Sequence, residues 1–167
     1  FNPDIIREHL PLDKVFNDML SIYSNLFGIK IKETEIKLWH KDVKLFEVKD
    51  TKNNSLIGYF ATDLFPREGK FSHAAMFTFI RKSKFNLPIS AIVCNFDPKL
   101  NVEFDNVVTY FHEFGHLMHN MESTNTIASL AGTACQRDFV ETPSQMFERW
   151  CYCEEPLKRL VTSDKIY

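Results

Sequence analysis

The chemistry of this chain concentrates in one short stretch. Three of its six histidines fall within His112-Glu113-Phe114-Gly115-His116-Leu117-Met118-His119. Val107, Val108, Phe111, Leu117 and Met118 recur around it with helical spacing, and Asp105 or Asn106 offers an N-cap. On a helix, His112 and His116 lie one turn apart on one face and can bind a single cation through imidazole nitrogens at about 2.0–2.1 Å. Glu113, next to the first histidine, can reach a water on that cation without ligating it. This is the HExxH arrangement, which serves zinc-dependent hydrolysis. At the His and Glu frequencies of this chain, one chance HExxH is roughly a 1–2% event, so a pair of unrelated histidines on an amphipathic helix is the weaker reading.

The third ligand is not in the motif. His119 lies seven residues beyond His112, about 10.5 Å along a helix axis, whereas two ligands of one tetrahedral zinc sit only about 3.3–3.5 Å apart. One straight helix therefore offers two ligands, and His119 is expected to pack rather than ligate. The best source of another ligand is Asp138-Phe139-Val140-Glu141-Thr142-Pro143-Ser144-Gln145-Met146-Phe147-Glu148-Arg149-Trp150. It combines acidic residues, an apolar face and a proline compatible with a helix start. Spacing alone leaves Glu141, Glu148 and Asp138 all eligible.

These residues need a frame. From Pro11 to Phe27 the apolar positions Leu12, Val15, Phe16, Met19, Ile22, Tyr23, Leu26 and Phe27 form a helical stripe, with Pro11 suited to the first turn and Gly28 to the C-terminal cap. The segment then turns to a period of two. Val43–Lys49 and Leu56–Leu64 flank the polar cluster Asp50-Thr51-Lys52-Asn53-Asn54-Ser55 and predict a β-hairpin. After a second turn at Pro66–Lys70, strands are expected over Phe71–Ile80 and Ile89–Phe96. A helix, then four or five mostly antiparallel strands, then helices, predicts an α+β fold in one domain spanning residues 1–167.

Composition narrows the partners. Twenty Lys+Arg against 22 Asp+Glu leave a net charge of −2 and no broad basic field, which argues against nucleic acid and anionic membrane surfaces. With 16 Phe, 5 Tyr and 2 Trp the chain is far from the composition of a disordered one. No apolar run reaches the roughly 18 residues of a membrane span. The four cysteines read as free thiols, since Cys151 and Cys153 are too close for an easy disulfide and do not form a CxxC. The chain opens on Phe1 without a secretory signal and reads as a segment of a longer protein.

Three stretches together resemble the thimet oligopeptidase/neurolysin family of zinc metallopeptidases, which also takes in saccharolysin, bacterial oligopeptidases and dipeptidyl carboxypeptidases. They are Tyr110–His119, Asp138–Trp150, and Asp63-Leu64-Phe65-Pro66-Arg67-Glu68-Gly69-Lys70-Phe71-Ser72-His73-Ala74-Ala75-Met76-Phe77. The Pro11-to-Gly28 helix is similar to the one that opens the family's catalytic region. The resemblance implies a zincin-like catalytic core and one zinc per chain. His112, His116 and Glu141 would be its ligands and Glu113 the general base acting on metal-activated water. Asp138 and Glu148 become candidates for neighbours of that ligand set.

The activity implied is hydrolysis of short peptides, as an oligopeptidase and endopeptidase. Substrate would run extended along a strand edge near Phe71–Phe77. Family members are several times longer and mostly helical. The other partner implied is therefore the remaining helical regions of the full-length enzyme, and the segment alone is expected to be weak or inactive because oxyanion donors lie elsewhere. The resemblance and the free thiols point to the cytoplasm, with the mitochondrion as alternative. The competing readings are a zinc-binding module without catalysis, which would have no use for Glu113, and a docking role for a Phe-rich surface.

Overall fold

The computed structural model describes residues 3–163. A short helix α1 (Pro3–Arg7) precedes α2 (Leu12–Phe27), which buries Val15, Met19, Ile22 and Tyr23 along one stripe. Gly28 ends α2 in the left-handed region at φ 63°, where its N–H reaches the Ser24 carbonyl. A side chain there would be strained, so the glycine stops the helix and turns the chain into the sheet. Pro11 is the N-cap, just outside the helix, rather than in its first turn as expected.

Five strands follow: β1 (Ile29–Thr34), β2 (Lys44–Asp50), β3 (Leu56–Asp63), β4 (Ala75–Ile80) and β5 (Ile89–Val93). They lie in the order β1-β2-β3-β5-β4. The expected hairpin is β2–β3. Strand β1, which alternates Ile29 and Ile31 with Lys30 and Lys32, was not among the strands singled out above. Pairing is antiparallel except between β3 and β5, so the sheet is mixed. The insertion of β5 between β3 and β4 follows from burial: Ser90 to Val93 are all buried, as suits a central strand, whereas β4 keeps Phe77, Phe79 and Ile80 exposed on an edge.

Two expected strands are shorter than the sequence suggested. Phe71–Ala74 do not join the ladder; the Asn95 side chain instead donates to the carbonyls of Phe71 and His73, at 3.1 and 3.4 Å. Strand β5 ends at Val93, although Cys94 and Phe96 still donate to Asp63 and Leu64.

The core lies between the sheet and the helices α2 and α3 (Phe104–Met121). Tyr23 stands at its centre, with ring centroids 4.5 Å from Phe114 and 4.8 Å from Phe147, and its hydroxyl donates to the Phe111 carbonyl at 3.0 Å. A small second cluster of Val43, Ala61 and Ala91 gathers at the opposite face, as strand alternation requires. Helix α3 starts earlier than expected: Glu103 is the N-cap and Asp105 lies in the first turn, where its charge suits the helix dipole. Helix α4 (Arg137–Glu148) also starts earlier, so Pro143 is inside it rather than at its start and removes one backbone donor from its middle. A final helix α5 (Glu154–Leu160) packs back on α2.

Candidate metal centre

Helix α3 turns one face to the core through Val107, Tyr110, Phe111, Phe114, Leu117, Met118 and Met121. That anchoring leaves His112 and His116 on the flank facing α4, with their Nε2 atoms 3.1 Å apart. Helix α4 comes close because Gly115 has no side chain: a Cβ there would stand 2.7 Å from Ser144 Cα and 3.1 Å from a Phe147 ring carbon. The approach brings Glu141 Oε2 to 3.2 Å from His112 Nε2 and 3.1 Å from His116 Nε2. Two imidazole nitrogens and a carboxylate oxygen thus form a nearly equilateral triangle.

The edges of this triangle lie close to the roughly 3.3–3.5 Å separation of two ligands on one tetrahedral zinc, and the N, N, O donor set is one that zinc accepts. The residues present therefore fit a zinc ion. Among the described residues, this is the one group of three or more His, Cys, Asp or Glu side chains so arranged. Its donors are unequally covered: the side chains of His112 and His116 are 22% and 13% exposed, that of Glu141 46%, so the triangle opens toward solvent on the α4 side. Burial outweighs the Glu141 charge beside it and lowers the His116 pKa, which favours the neutral, ligating imidazole.

Glu113 sits apart from the triangle, almost wholly buried, and its Oε2 accepts the backbone N–H of Met76 on β4 at 2.6 Å. Burial raises its pKa and the charge of Glu141 adds to that; His112 and the Met76 amide pull the other way, and burial prevails. The carboxyl is thus held between the triangle and the sheet's edge strand. That edge is β4, from Ala75, so of the stretch Phe71–Phe77 only Ala75–Phe77 belongs to it.

The remaining candidates separate cleanly. His119 is outside the triangle, packed edge-on to Phe139 at 6.1 Å between centroids, and its buried Nδ1 has no partner among the described residues. Asp138 is exposed. Glu148 is not in the triangle either, but its Oε1 lies 2.5 Å from His112 Nδ1. Two features escaped the sequence reading altogether. Ser144, fully buried, donates to the Glu141 carbonyl at 2.9 Å and lies 3.2 Å from its Oε2. The Met76 amide, a backbone group, has no side-chain signature at all. The spacing of Glu141, Ser144 and Glu148, by three and then four residues, is the signal that places all three on one face of α4.

The model of peptidase family M3 matches residues 1–166. The chain is 40% identical to the thimet-like oligopeptidase of Dictyostelium discoideum over 92% of its own length and 25% of that protein. It is 36% identical to saccharolysin of Saccharomyces cerevisiae, covering 99% of the chain and 26% of that protein. Against the dipeptidyl carboxypeptidase of Escherichia coli the figures are 37%, 87% and 22%. The chain thus spans about a quarter of the length of these curated relatives. An HExxH helix, a facing glutamate and a family match from end to end lead to one conclusion: the chain belongs to peptidase family M3.

Proposed function

We propose that this chain is the catalytic-core segment of a zinc-dependent oligopeptidase with a zincin-like core, which hydrolyses peptide bonds in short peptides as an endopeptidase in the cytoplasm. One zinc per chain would be held by His112, His116 and Glu141. The triangle of 3.1–3.2 Å between their donor atoms carries the reading. A zinc ion held there supplies the Lewis acidity that activates water and polarises a carbonyl.

The chain's own residues do the rest. Glu113 takes a proton from the attacking water and returns it to the leaving amine; burial raises its pKa, which makes it a stronger base than an exposed carboxylate. The edge strand β4 is available to pair with an extended peptide and hold it beside Glu113. Oxyanion donors and most of the peptide-binding wall would come from the remaining helical regions of the full-length enzyme. The segment alone is then weak or inactive.

The test is Glu113→Gln in the full-length protein. Peptide hydrolysis is expected to fall by about 10²–10⁴-fold, the usual worth of a general base, with zinc content per chain unchanged. A zinc-binding module without catalysis would show no turnover in the wild type. Turnover that survives the substitution overturns the role of Glu113.

A further inference from the structure

We propose that Glu148 is the positioning residue of the metal centre, holding His112 in its ligating tautomer and orientation. The inference rests on the reading of His112, His116 and Glu141 as a zinc site. A carboxylate only accepts hydrogen bonds, so the 2.5 Å contact between Glu148 Oε1 and His112 Nδ1 places the ring proton on Nδ1. In the neutral ring that ligates a metal, the lone pair is then left on Nε2, the atom 3.2 Å from Glu141 Oε2 and 3.1 Å from His116 Nε2. One face of α4 grips the same imidazole from both sides. Glu141 meets it at Nε2, and Glu148, seven residues and about 10.5 Å further along the axis, meets it at Nδ1.

Two further observations separate this from an incidental surface contact. Glu148 is the last residue of α4, where a negative charge opposes the helix dipole, and that placement costs stability rather than adding it. Among the described residues, its one ion-pairing partner is His112. The second histidine gives the contrast: the buried Nδ1 of His116 has no hydrogen-bond partner among the described residues. The site is therefore preset at one imidazole and not at the other, and Glu148 is the reason.

The experiment measures zinc affinity by chelator competition in the full-length protein for the wild type, Glu148→Ala and Glu148→Asp. The thermal stability of each metal-free form and the visible spectrum of each cobalt-substituted form are read alongside. Loss of such an outer hydrogen bond typically weakens a metal 10–100-fold. We expect that loss in Glu148→Ala, partial recovery in Glu148→Asp, a shifted cobalt spectrum in Glu148→Ala and a metal-free stability that does not fall. Wild-type affinity and spectrum in Glu148→Ala overturn the inference while leaving the zinc reading intact. Metal-free destabilisation of Glu148→Ala equal to its loss of affinity also overturns it, by making Glu148 a folding residue. A wild type that binds no zinc takes down the metal reading and this inference together.

Discussion

Gly115 and Ser144 are in backbone contact: a Cβ built on Gly115 would come within 2.7 Å of Ser144 Cα and 3.3 Å of its amide nitrogen. The contact lies one residue before His116 and three after Glu141, so the distance between the two helices that form the triangle is set there. Ser144, filling the gap, hydrogen-bonds the Glu141 carbonyl and stands beside its carboxylate.

Gly115→Ala should therefore loosen the site from within. Alanine gains up to about 1 kcal/mol of helix propensity, but overpacking against backbone costs about 1–3 kcal/mol and no rotamer change relieves it. We expect net destabilisation in urea unfolding, together with a zinc content below that of the wild type.

Glu141 on α4 and His119 on α3 give a second prediction. Glu141→Ala removes one corner of the triangle and should lose zinc on dialysis, as metal analysis will read. His119→Ala removes a ring that touches Phe139 and no triangle atom, so zinc should stay at one per chain. Retention in Glu141→Ala with loss in His119→Ala would reverse the assignment.

A third prediction concerns the turn that leads toward β4. Asp63, its side chain only 6% exposed, receives hydrogen bonds from both guanidinium nitrogens of Arg67, at 2.7 and 2.8 Å, and from Trp39 at 2.9 Å. The Lys70 ammonium, 3% exposed, lies 3.0 Å from the same carboxylate and caps the carbonyls of Asp63, Phe65 and Cys94. Burial alone would raise the Asp63 pKa; the bonds from Arg67, Trp39 and Lys70 outweigh it and hold the carboxyl well below the usual carboxylate range. A depressed pKa stabilises the fold above the unfolded value of about 3.9 and is lost as pH falls from there toward the folded value. Asp63→Asn leaves a buried ammonium without its counter-charge and should cost about 3–5 kcal/mol at neutral pH. The fall in stability between about pH 4 and pH 2 should flatten in the same variant.

Thiol chemistry supplies a fourth. Cys135 and Cys153 are exposed, whereas Cys94 and Cys151 are buried. Burial pushes the Cys94 thiol up to about 12, with the Glu113 charge adding to it, and burial with the Glu148 charge does the same to Cys151. The thiolate is the reactive form. Alkylation of native chain at pH 8 should label Cys135 and Cys153 and spare the other two until urea is added. Early labelling of Cys94 would contradict the packing around it.

How much of this was readable in advance divides along a physical line. The four-residue spacing of His112 and His116, the stripe of α2 and the alternation of β2 and β3 are local periodicities. The chain's covalent geometry turns each of them directly into a shared face. The α+β order follows from them. A helix start is less legible: Asp105 or Asn106 looked like an N-cap and Pro143 like part of a helix start, yet α3 is capped by Glu103 and Pro143 lies within α4. The packing of Phe147 and Ser144 on α3 outweighs the propensity of one residue.

What only the tertiary structure decided is which distant groups meet. Asp138, Glu141 and Glu148 were equivalent as carboxylates in one segment. The Gly115–Ser144 contact turned Glu141 toward both imidazoles, sent Glu148 to the far side of His112 and left Asp138 in solvent. Likewise, nothing local in Ile89–Val93 announces its parallel pairing with β3, which puts β4 on the edge and the Met76 amide against Glu113. Spacing along the chain determines what one helix or strand can present, because geometry within an element is fixed by its own backbone. Which presented groups come within bonding distance depends on how elements pack, and that is settled by side chains far apart in sequence.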